Sequence, residues 1–342
     1  MFIVLDTDDI KWNEYVNRFP KENIDIYYYS DYYKLYEANN EGIGKIFIYE
    51  RDEKIALYPF LLREITGYDL DRKYYDIETA YGYGGPLVNC YEEEFLSEFE
   101  ETFLNYCKEQ DIVAEFIRFN CLFNNHNIFK KNINVSFNRN TVLVDLTKDI
   151  EEIWNNQISS SNRNKIRKAR NRYNLDINFK KNSKEFEYLY KHTMDKVNAT
   201  NYYYFSDKYF KNLYSMDIIN ANIIYEEQNI ASAIFLHSYD YIHYHLGGSL
   251  KEYLNYYPNN FLFWELIKFA KEKGFKYLHL GGGSSTDIDD SLFKFKRHFG
   301  NNILEFYIGT RIHNKDIYEK LIDLWSKNNL DKEYKLFLQY RM

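Results

Sequence analysis

The fold is decided by a stretch in the second half of the chain: Ile223-Ile224-Tyr225-Glu226, a polar turn, and Ile230-Ala231-Ser232-Ala233-Ile234-Phe235. Two short runs rich in β-branched and aromatic residues, separated by a few polar residues, predict an antiparallel β-hairpin. The same letters occur earlier, as Ile48-Tyr49-Glu50 and Ile55-Ala56, again with polar residues between them. The sequence therefore contains the same hairpin twice.

The elements around the two hairpins also follow one order. Apolar residues at helical or alternating spacing predict two helices before each hairpin, and a strand, a helix and a second strand after it. These segments are 8–20, 30–38, 73–79, 95–107 and 112–119 in the first copy, and 184–198, 207–215, 241–246, 260–273 and 275–280 in the second. The pattern predicts an α/β (α+β) protein of two tandem domains with mixed, mostly antiparallel sheets. A charged helix over 149–172 opens the second copy, so the expected domains are 1–148 and 149–342.

Composition excludes several classes of protein. The chain has 342 residues, a net charge of −7 and 45% apolar residues, which is enough material for a buried core. No run approaches the roughly 20 apolar residues of a membrane-spanning helix. The N-terminus turns acidic at Asp6, before a secretory signal can form. Three cysteines without paired spacing disfavour a disulfide framework and a zinc ribbon, so we expect a soluble, cytoplasmic protein without a metal site.

Two glycine-rich turns follow predicted strands, Tyr81-Gly82-Tyr83-Gly84-Gly85-Pro86 and Gly281-Gly282-Gly283-Ser284-Ser285. The first has no third glycine opening a helix, as a dinucleotide fingerprint requires, and the second lacks the Lys-Ser/Thr of a phosphate loop. Each turn is therefore either a tight strand exit that only glycine tolerates or a place where a substrate lies against bare backbone.

The charged helix carries six cations between Arg163 and Arg172. In a chain of negative net charge, such a run is either a solvated helix face or a contact surface for a phosphate-bearing partner. His243-Tyr244-His245 places two imidazoles on one strand face, but no neighbouring residues have metal-ligand spacing. No nucleophile elbow or activated cysteine occurs, so covalent catalysis is not indicated.

Three groups of segments carry a resemblance to a known family. They are Trp154 with Ile158–Ala169, Tyr244–Ser249 with Tyr257–Trp264, and Tyr277–Gly282 with Leu292–Gly300. The third is the most specific, because it is similar to the signature aspartate-Phe-Gly-Gly followed by Phe-Lys-x-x-Phe-Gly of the FemA/FemB/FemX aminoacyltransferases. His279-Leu280 stand here where that signature has aspartate and phenylalanine. The resemblance covers nearly the whole chain and is strongest from Glu151 to Gly300.

The resemblance implies two tandem GNAT-like domains and an acyltransferase. Its members move an amino acid from aminoacyl-tRNA onto an amine of a peptidoglycan-precursor stem peptide. It implies that Phe295 and Lys296 lie at the transfer centre, where a cation stabilises the oxyanion of direct aminolysis. We expect the donor at Asn259 and Asn260, where a helix begins, and at Arg163 and Arg167. The residues expected to contact the acceptor or line its cleft are Lys34, Tyr81, Gly82, Tyr83, Gly84, Tyr203, Tyr244, His245, Gly247, Gly281 and Gly282.

Three functions remain open at this point. The first is a Fem-like acyltransferase that uses the acceptor end of a tRNA as donor and an amine, such as a peptidoglycan precursor, as acceptor, with no permanently bound cofactor. The second is an acetyl-coenzyme A-dependent N-acetyltransferase, and the third a non-catalytic module that binds a peptide or glycan. No contact with DNA is expected, and the oligomeric state is left open. Tyrosine cannot neutralise a phosphate, so the 36 Tyr predict an acceptor less charged than the family's usual one.

Overall fold

The computed structural model describes residues 1–330, 333 and 336–342. Its first elements are β1 (Phe2–Asp6), α1 (Ile10–Val16), α2 (Ser30–Ala38), β2 (Ile43–Arg51), β3 (Lys54–Glu64), β4 (Tyr75–Glu78), β5 (Leu87–Val88), α3 (Glu93–Glu109), β6 (Ile112–Arg118) and β7 (Ile133–Asp145). They are followed by α4 (Ile150–Glu152), α5 (Ser160–Asn171), β8 (Asp176–Asn178), α6 (Ser183–Lys196), α7 (Asp207–Ser215), β9 (Ile218–Tyr225), β10 (Gln228–Ser238), β11 (Tyr241–Ser249), α8 (Pro258–Glu272), β12 (Tyr277–Gly282), α9 (Ser291–Arg297), β13 (Asn302–Ile312) and α10 (Lys315–Asn328).

The chain divides into two compact units. Unit 1 consists of residues 1–23, 27–138 and 306–342, and unit 2 of residues 24–26 and 139–305. This division differs from the boundary expected near residue 148, because the chain leaves unit 1 within β7 and returns to it within β13. Residues 308–312 of β13 pair with β6 in unit 1, and residues 141–145 of β7 pair with β12 in unit 2. Each unit is thus completed by a strand from the other half of the sequence.

The sheet of unit 1 has the strand order β1-β2-β3-β4-β6-β13. Neighbouring strands are antiparallel except β4 and β6, which are parallel. The first predicted hairpin is confirmed as β2 and β3, in which Arg51 lies opposite Lys54. Phenylalanines of the sheet and of α3 form the core, because both elements turn an apolar face towards each other; they include Phe47, Phe60, Phe95, Phe99 and Phe103.

The sheet of unit 2 has the strand order β7-β12-β11-β10-β9-β8. Here β11 and β12 are the parallel pair, and the other neighbours are antiparallel. The second predicted hairpin is confirmed as β9 and β10, in which Tyr225 lies opposite Gln228. α8 is buried over most of its length and contributes Phe261, Phe263 and Leu266 to the core of this unit.

The two parallel strand pairs end differently. In unit 2, β11 and β12 pair only from Tyr241 opposite Tyr277 to His243 opposite His279, and β11 then continues beside β10 to Ser249. In unit 1, the chain returns to β6 after β4 ends. The Gly84 N–H donates to the Arg118 carbonyl at 2.7 Å. In unit 1 the glycine turn therefore fills the space after the parallel strands. The equivalent space in unit 2 is open.

The charged segment is not one helix. α4 ends at Glu152, a π-helical turn follows over Ile153–Gln157, and α5 begins at Ser160. Arg163 stabilises the irregular turn between α4 and α5, because its Nη1 donates to the carbonyl oxygens of Trp154, Asn155 and Ile158 at 2.7–3.0 Å. The prediction of a continuous helix over 149–172 is wrong. Apolar periodicity gives no information on the hydrogen bonds by which the Arg163 side chain caps the turn before α5.

Candidate active site

A pocket of about 330 Å³ lies in unit 2, beside the part of β11 that β12 does not pair. Its walls come from β10, the end of β11, the end of α6, the first turns of α8, and α9. The lining side chains used below are Lys196, Tyr244, Ser249, Asn259, Phe295 and Lys296.

Lys296 is the buried cation of this pocket. It is 5% exposed, its Nζ donates to the carbonyl oxygen of Gly282 at 2.7 Å, and Nζ lies 5.4 Å from the ring centroid of Tyr244. Burial lowers the pKa of Lys296 to about 7, while Asp290 raises this pKa and Arg139 lowers it to smaller extents. Near neutral pH the side chain therefore exists as both ammonium and amine. A perturbed lysine in a pocket is typical of a group that acts on developing charge.

Asp290 fixes the start of the helix that carries Lys296. Its carboxylate accepts hydrogen bonds from the N–H groups of Ser284 and Ser285, at 3.1 Å, and from the first turn of α9 at 2.9 Å. Burial opposes ionisation of Asp290, but hydrogen bonds from the Ser284 hydroxyl and from these backbone N–H groups hold its pKa below the ordinary value. The loop between β12 and α9 is thus wrapped around one carboxylate.

A glycine permits the close approach of α6 to the end of β11. Gly248 lies against the backbone of Leu189 and Tyr190, and a Cβ at this position would come within 2.6 Å of the Tyr190 nitrogen. Because backbone cannot move aside cheaply, no larger residue fits. This approach brings the end of α6, and with it Lys196, to the pocket.

The remaining pocket side chains are held by packing and hydrogen bonds. The Tyr244 ring packs on Phe263, with ring centroids 5.2 Å apart, and so keeps one side of Lys296 aromatic. In the first turn of α8, the Asn259 amide donates to Ser249 Oγ at 3.3 Å. An ammonium beside an aromatic ring and several hydroxyl and amide groups can orient and polarise a carbonyl compound.

The structure brings part of the expected site together. Phe295, Lys296, Tyr244 and Gly247 line the pocket, and Gly282 holds the Lys296 ammonium. His245 alternates with Tyr244 along β11 and instead bonds the Tyr209 hydroxyl at 2.6 Å, and burial together with His243 lowers the pKa of His245 to about 3. Two other residues have backbone roles: Gly281 forms a β12 bulge with φ +72°, and the Tyr203 carbonyl accepts from Tyr190 at 2.8 Å.

Of the four residues expected at the donor, Asn259 alone is among those lining the pocket of the described chain. Asn260 is buried, and its amide donates to Asn162 Oδ1 at 2.6 Å. Arg163 is bound to backbone carbonyls as described above, and the Arg167 guanidinium lies over the Trp154 ring at 5.4 Å. These two arginines lie on one side of α5 and stabilise the preceding turn.

The other expected acceptor residues lie in unit 1. Lys34 pairs with Asp8 at 3.3 Å and Asp31 at 3.7 Å. Gly84 is buried, and its backbone hydrogen bonds close the turn after β4. Three further residues lie in the same turn: Tyr81, whose carbonyl accepts from Tyr32; Gly82, with φ +108°; and Tyr83, which packs edge-on against Tyr27 and Phe306.

Two residues of the site, Asp290 and Lys196, are not among those expected from the sequence. Asp290 could have been found, because it is the N-cap of α9 and capping rules recognise an aspartate at that position. Lys196 carries no such signal, because its place in the pocket depends on the approach of α6 to Gly248. Burial and the neighbouring Lys251 lower the pKa of Lys196.

Unit 1 also contains a buried polar cluster of Cys107, Glu115 and His313, whose ligand atoms lie within 4.8 Å of one another. His313 Nε2 lies 2.7 Å from Glu115 Oε2, and the Arg311 guanidinium lies 4.0 Å from the same carboxylate. Burial raises the pKa of Cys107 well above its ordinary value. A neutral thiol and a neighbouring guanidinium both disfavour a metal cation here.

The pocket lies within a segment of the chain that matches a known domain family. Residues 159–297 match the acetyltransferase (GNAT) domain family. Unit 2 contains a GNAT acyltransferase domain. The matched segment begins at the N-cap of α5 and ends one residue after Lys296, so the GNAT domain includes every residue that lines the pocket.

Solved structures extend the likeness to both units. The chain is similar in fold to FemX, with 15% identity over 94% of this chain and 99% of that chain and a TM-score of 0.70. It is also similar to L-PGS from Bacillus licheniformis (15% identity, 90% and 92% covered, TM-score 0.53) and to a tandem GNAT protein from the clavulanic acid biosynthesis pathway (6%, 92% and 98%, 0.50). The expected tandem GNAT fold is confirmed. No curated protein matches the sequence.

Within the described ranges, no helix is both long enough and apolar enough to cross a bilayer.

Proposed function

We propose that this GNAT acyltransferase is a cytoplasmic enzyme that moves an aminoacyl group from aminoacyl-tRNA onto an amine, with the stem peptide of a peptidoglycan precursor as the acceptor class. The observation that carries the proposal is Lys296, a buried cation in a pocket beside diverging parallel strands. The similarity in fold to FemX, which covers 94% of this chain, supports it.

The chemistry needs no enzyme nucleophile. The neutral acceptor amine attacks the ester carbonyl carbon of the donor, and the carbon–nitrogen bond forms as the carbonyl oxygen becomes an oxyanion. The Lys296 ammonium stabilises this oxyanion, because a fixed charge in a dry pocket acts more strongly than water. Collapse breaks the bond to the ribose oxygen, which leaves with the proton that the amine gives up.

The acceptor is proposed to be less charged than a nucleotide-linked precursor. Tyr203 lies in the segment where the resemblance implies a charged contact beside the substrate, and a phenol hydrogen-bonds and stacks but does not neutralise a phosphate. Binding of a plain stem peptide can be compared with binding of the nucleotide-diphosphate-linked peptide. Nanomolar affinity for the nucleotide-linked form alone would contradict this part of the proposal.

An acetyl-coenzyme A-dependent N-acetyltransferase is the second candidate. The match of unit 2 to the acetyltransferase domain family favours it. Coenzyme A phosphates bind helix N-termini readily, and the first turn of α8 lines the pocket.

A two-donor assay separates the candidates. Purified protein is given a lysine-containing stem peptide with either tRNA charged with labelled amino acids or labelled acetyl-coenzyme A, and the peptide is analysed by mass spectrometry. The proposal expects an aminoacyl mass increment that requires the charged tRNA. An acetyl increment alone would establish the second candidate. No product from either donor, together with peptide binding, would establish the non-catalytic module instead.

A further inference from the structure

The cations of α5 fall into two groups with different surroundings. Arg163, Arg167 and Arg170 lie on one side of the helix and are engaged by backbone carbonyls, by the Trp154 ring and by Glu265. Lys165, Lys168 and Arg172 are spaced i, i+3 and i+7, so they share the other side. No ion pair to a described carboxylate forms on that second side.

The second side of α5 lies beside residues 250–257, the connector between β11 and α8. Lys165 Nζ lies 6.0 Å from the ring centroid of Tyr257, the residue before α8. Next to Arg172, the Tyr173 ring stacks on Tyr256 with centroids 4.3 Å apart and planes 6° apart. The connector therefore places aromatic rings beside the positive side of α5.

The connector and α6 add two further cations. Lys251 is exposed at the start of the connector, and Lys196 lines the pocket. Burial lowers the pKa of Lys196, and the nearby positive charge of Lys251 lowers it further. Neither has a carboxylate partner within the described part of the chain. Two like charges held together without a counterion cost free energy unless an anion binds.

We propose that this cationic flank, formed by Lys165, Lys168, Arg172, Lys196 and Lys251, binds phosphates of the acyl donor and directs its acyl end to Lys296. The proposal rests on the proposed function, since it concerns the donor of the same pocket. Phosphate is the chemistry that two donors share, RNA and coenzyme A. The half-buried rings of Tyr173, Tyr256 and Tyr257 between the cations favour RNA, because single-stranded nucleic acid binds to alternating cations and aromatic rings.

The span of the flank also favours more than one phosphate. Lys165 and Arg172 are seven residues apart, which is about 10 Å along a helix, and Lys196 extends the cationic surface to the pocket that it lines. The chain has a net charge of −7, so most of its surface repels a polyanion, whereas this cationic surface attracts it.

The test uses a fluorescent RNA hairpin with a short single-stranded 3′ end, whose affinity is measured at about 50 and 200 mM salt. The variant replaces Lys165, Arg172 and Lys251 with Gln. The control replaces Lys184, Lys208 and Lys211 with Gln, which are exposed cations of unit 2 that do not line the pocket. We expect the flank variant to lose about tenfold or more in affinity at the lower salt and to bind with a salt slope shallower by about 2, because each lost phosphate contact removes about 0.7–0.9 from the slope.

A second arm measures the melting temperature of wild type and both variants with coenzyme A. Equal loss of RNA affinity in the flank and control variants would overturn the proposal, and the two-donor assay would still decide the function. If wild type binds no RNA but is stabilised by coenzyme A, and the flank variant is not, the flank is a phosphate site and the RNA donor is wrong. If wild type responds to neither ligand, the proposal fails.

Discussion

Among the residues that the structure describes, two cationic side chains are buried, Arg311 in unit 1 and Lys296 in unit 2. Arg311 pairs with Glu100 at 2.7 Å and lies 4.0 Å from Glu115, so its charge is compensated. Lys296 has a backbone carbonyl and an aromatic ring beside it instead. A buried cation thus contributes to stability in unit 1, and in unit 2 it leaves a charge available for chemistry.

The strand pairs follow the same division. The space after the parallel strands of unit 1 is filled by the turn around Gly84, whereas the corresponding space in unit 2 leads to Lys296. A duplicated fold can thus keep one copy closed and use the other for the reaction.

Removing the compensated cation should destabilise the protein strongly. Arg311→Met removes the guanidinium that compensates the two buried carboxylates Glu100 and Glu115, which costs about 3–5 kcal/mol. Urea unfolding followed by circular dichroism measures the change. Lys315→Met, an exposed cation that pairs with Glu319 at 3.6 Å, is the matched control and should change little. A loss as small as that of the control would show that the Arg311 pair does not stabilise unit 1.

Removing the uncompensated cation should abolish most activity. Lys296→Met deletes the group that stabilises the oxyanion, and the loss of one such group lowers kcat by roughly 100- to 1,000-fold. Lys294→Met, on the exposed side of the same helix, is the control and should leave transfer unchanged. Folded Lys296→Met protein with full transferase activity would remove Lys296 from the mechanism.

The same Lys296→Met variant should be more stable than wild type at acidic pH. The ordinary pKa of a lysine, taken here for the unfolded chain, is 10.5, and burial lowers the pKa of Lys296 in the folded protein to about 7. Between these values the unfolded chain binds a proton that the native chain does not, so wild-type stability rises with pH across this window. The advantage of the variant should be largest below pH 7 and shrink towards pH 10, at roughly 1.4 kcal/mol per unit of pKa difference. A variant that is less stable at pH 6 would contradict the buried charge.

The pH dependence of transfer should show the smallest change. If the ammonium form stabilises the oxyanion, kcat/KM falls as pH rises through the pKa of Lys296, about 7. Asp290→Asn removes the carboxylate that raises this pKa, so the fall should begin at lower pH. An alkaline limb that is unaffected by Asp290→Asn would mean that another group titrates.

The sequence predicts local elements well and long-range pairing poorly. The repeated hairpins and α7 over 207–215 follow directly from periodicity, because the residues that define them are close in the chain. The pairing of β7 and β13 cannot be predicted in this way. Their partners β12 and β6 lie more than 100 residues away, and the residues of β7 and β13 do not indicate which strands they pair with. The domain boundary differs for the same reason.

The candidate site shows a similar limit. Lys296 and Phe295 are found through a resemblance to a signature, and both line the pocket. Arg163 and Arg167 belong to a charge run, and sequence cannot tell which side of a charged helix meets carbonyls and which meets solvent. Lys196 becomes part of the pocket only through the contact of Gly248 with α6.

The most direct test of the division between the units is hydrogen exchange measured by mass spectrometry, with and without the donor that supports turnover. Backbone amides that bind a ligand exchange more slowly. We predict slower exchange at residues 244–249 and 291–297 of unit 2, and unchanged exchange at residues 79–88 of unit 1. Protection confined to residues 79–88 would contradict the account, because the donor would then bind at the closed strand pair and not beside Lys296.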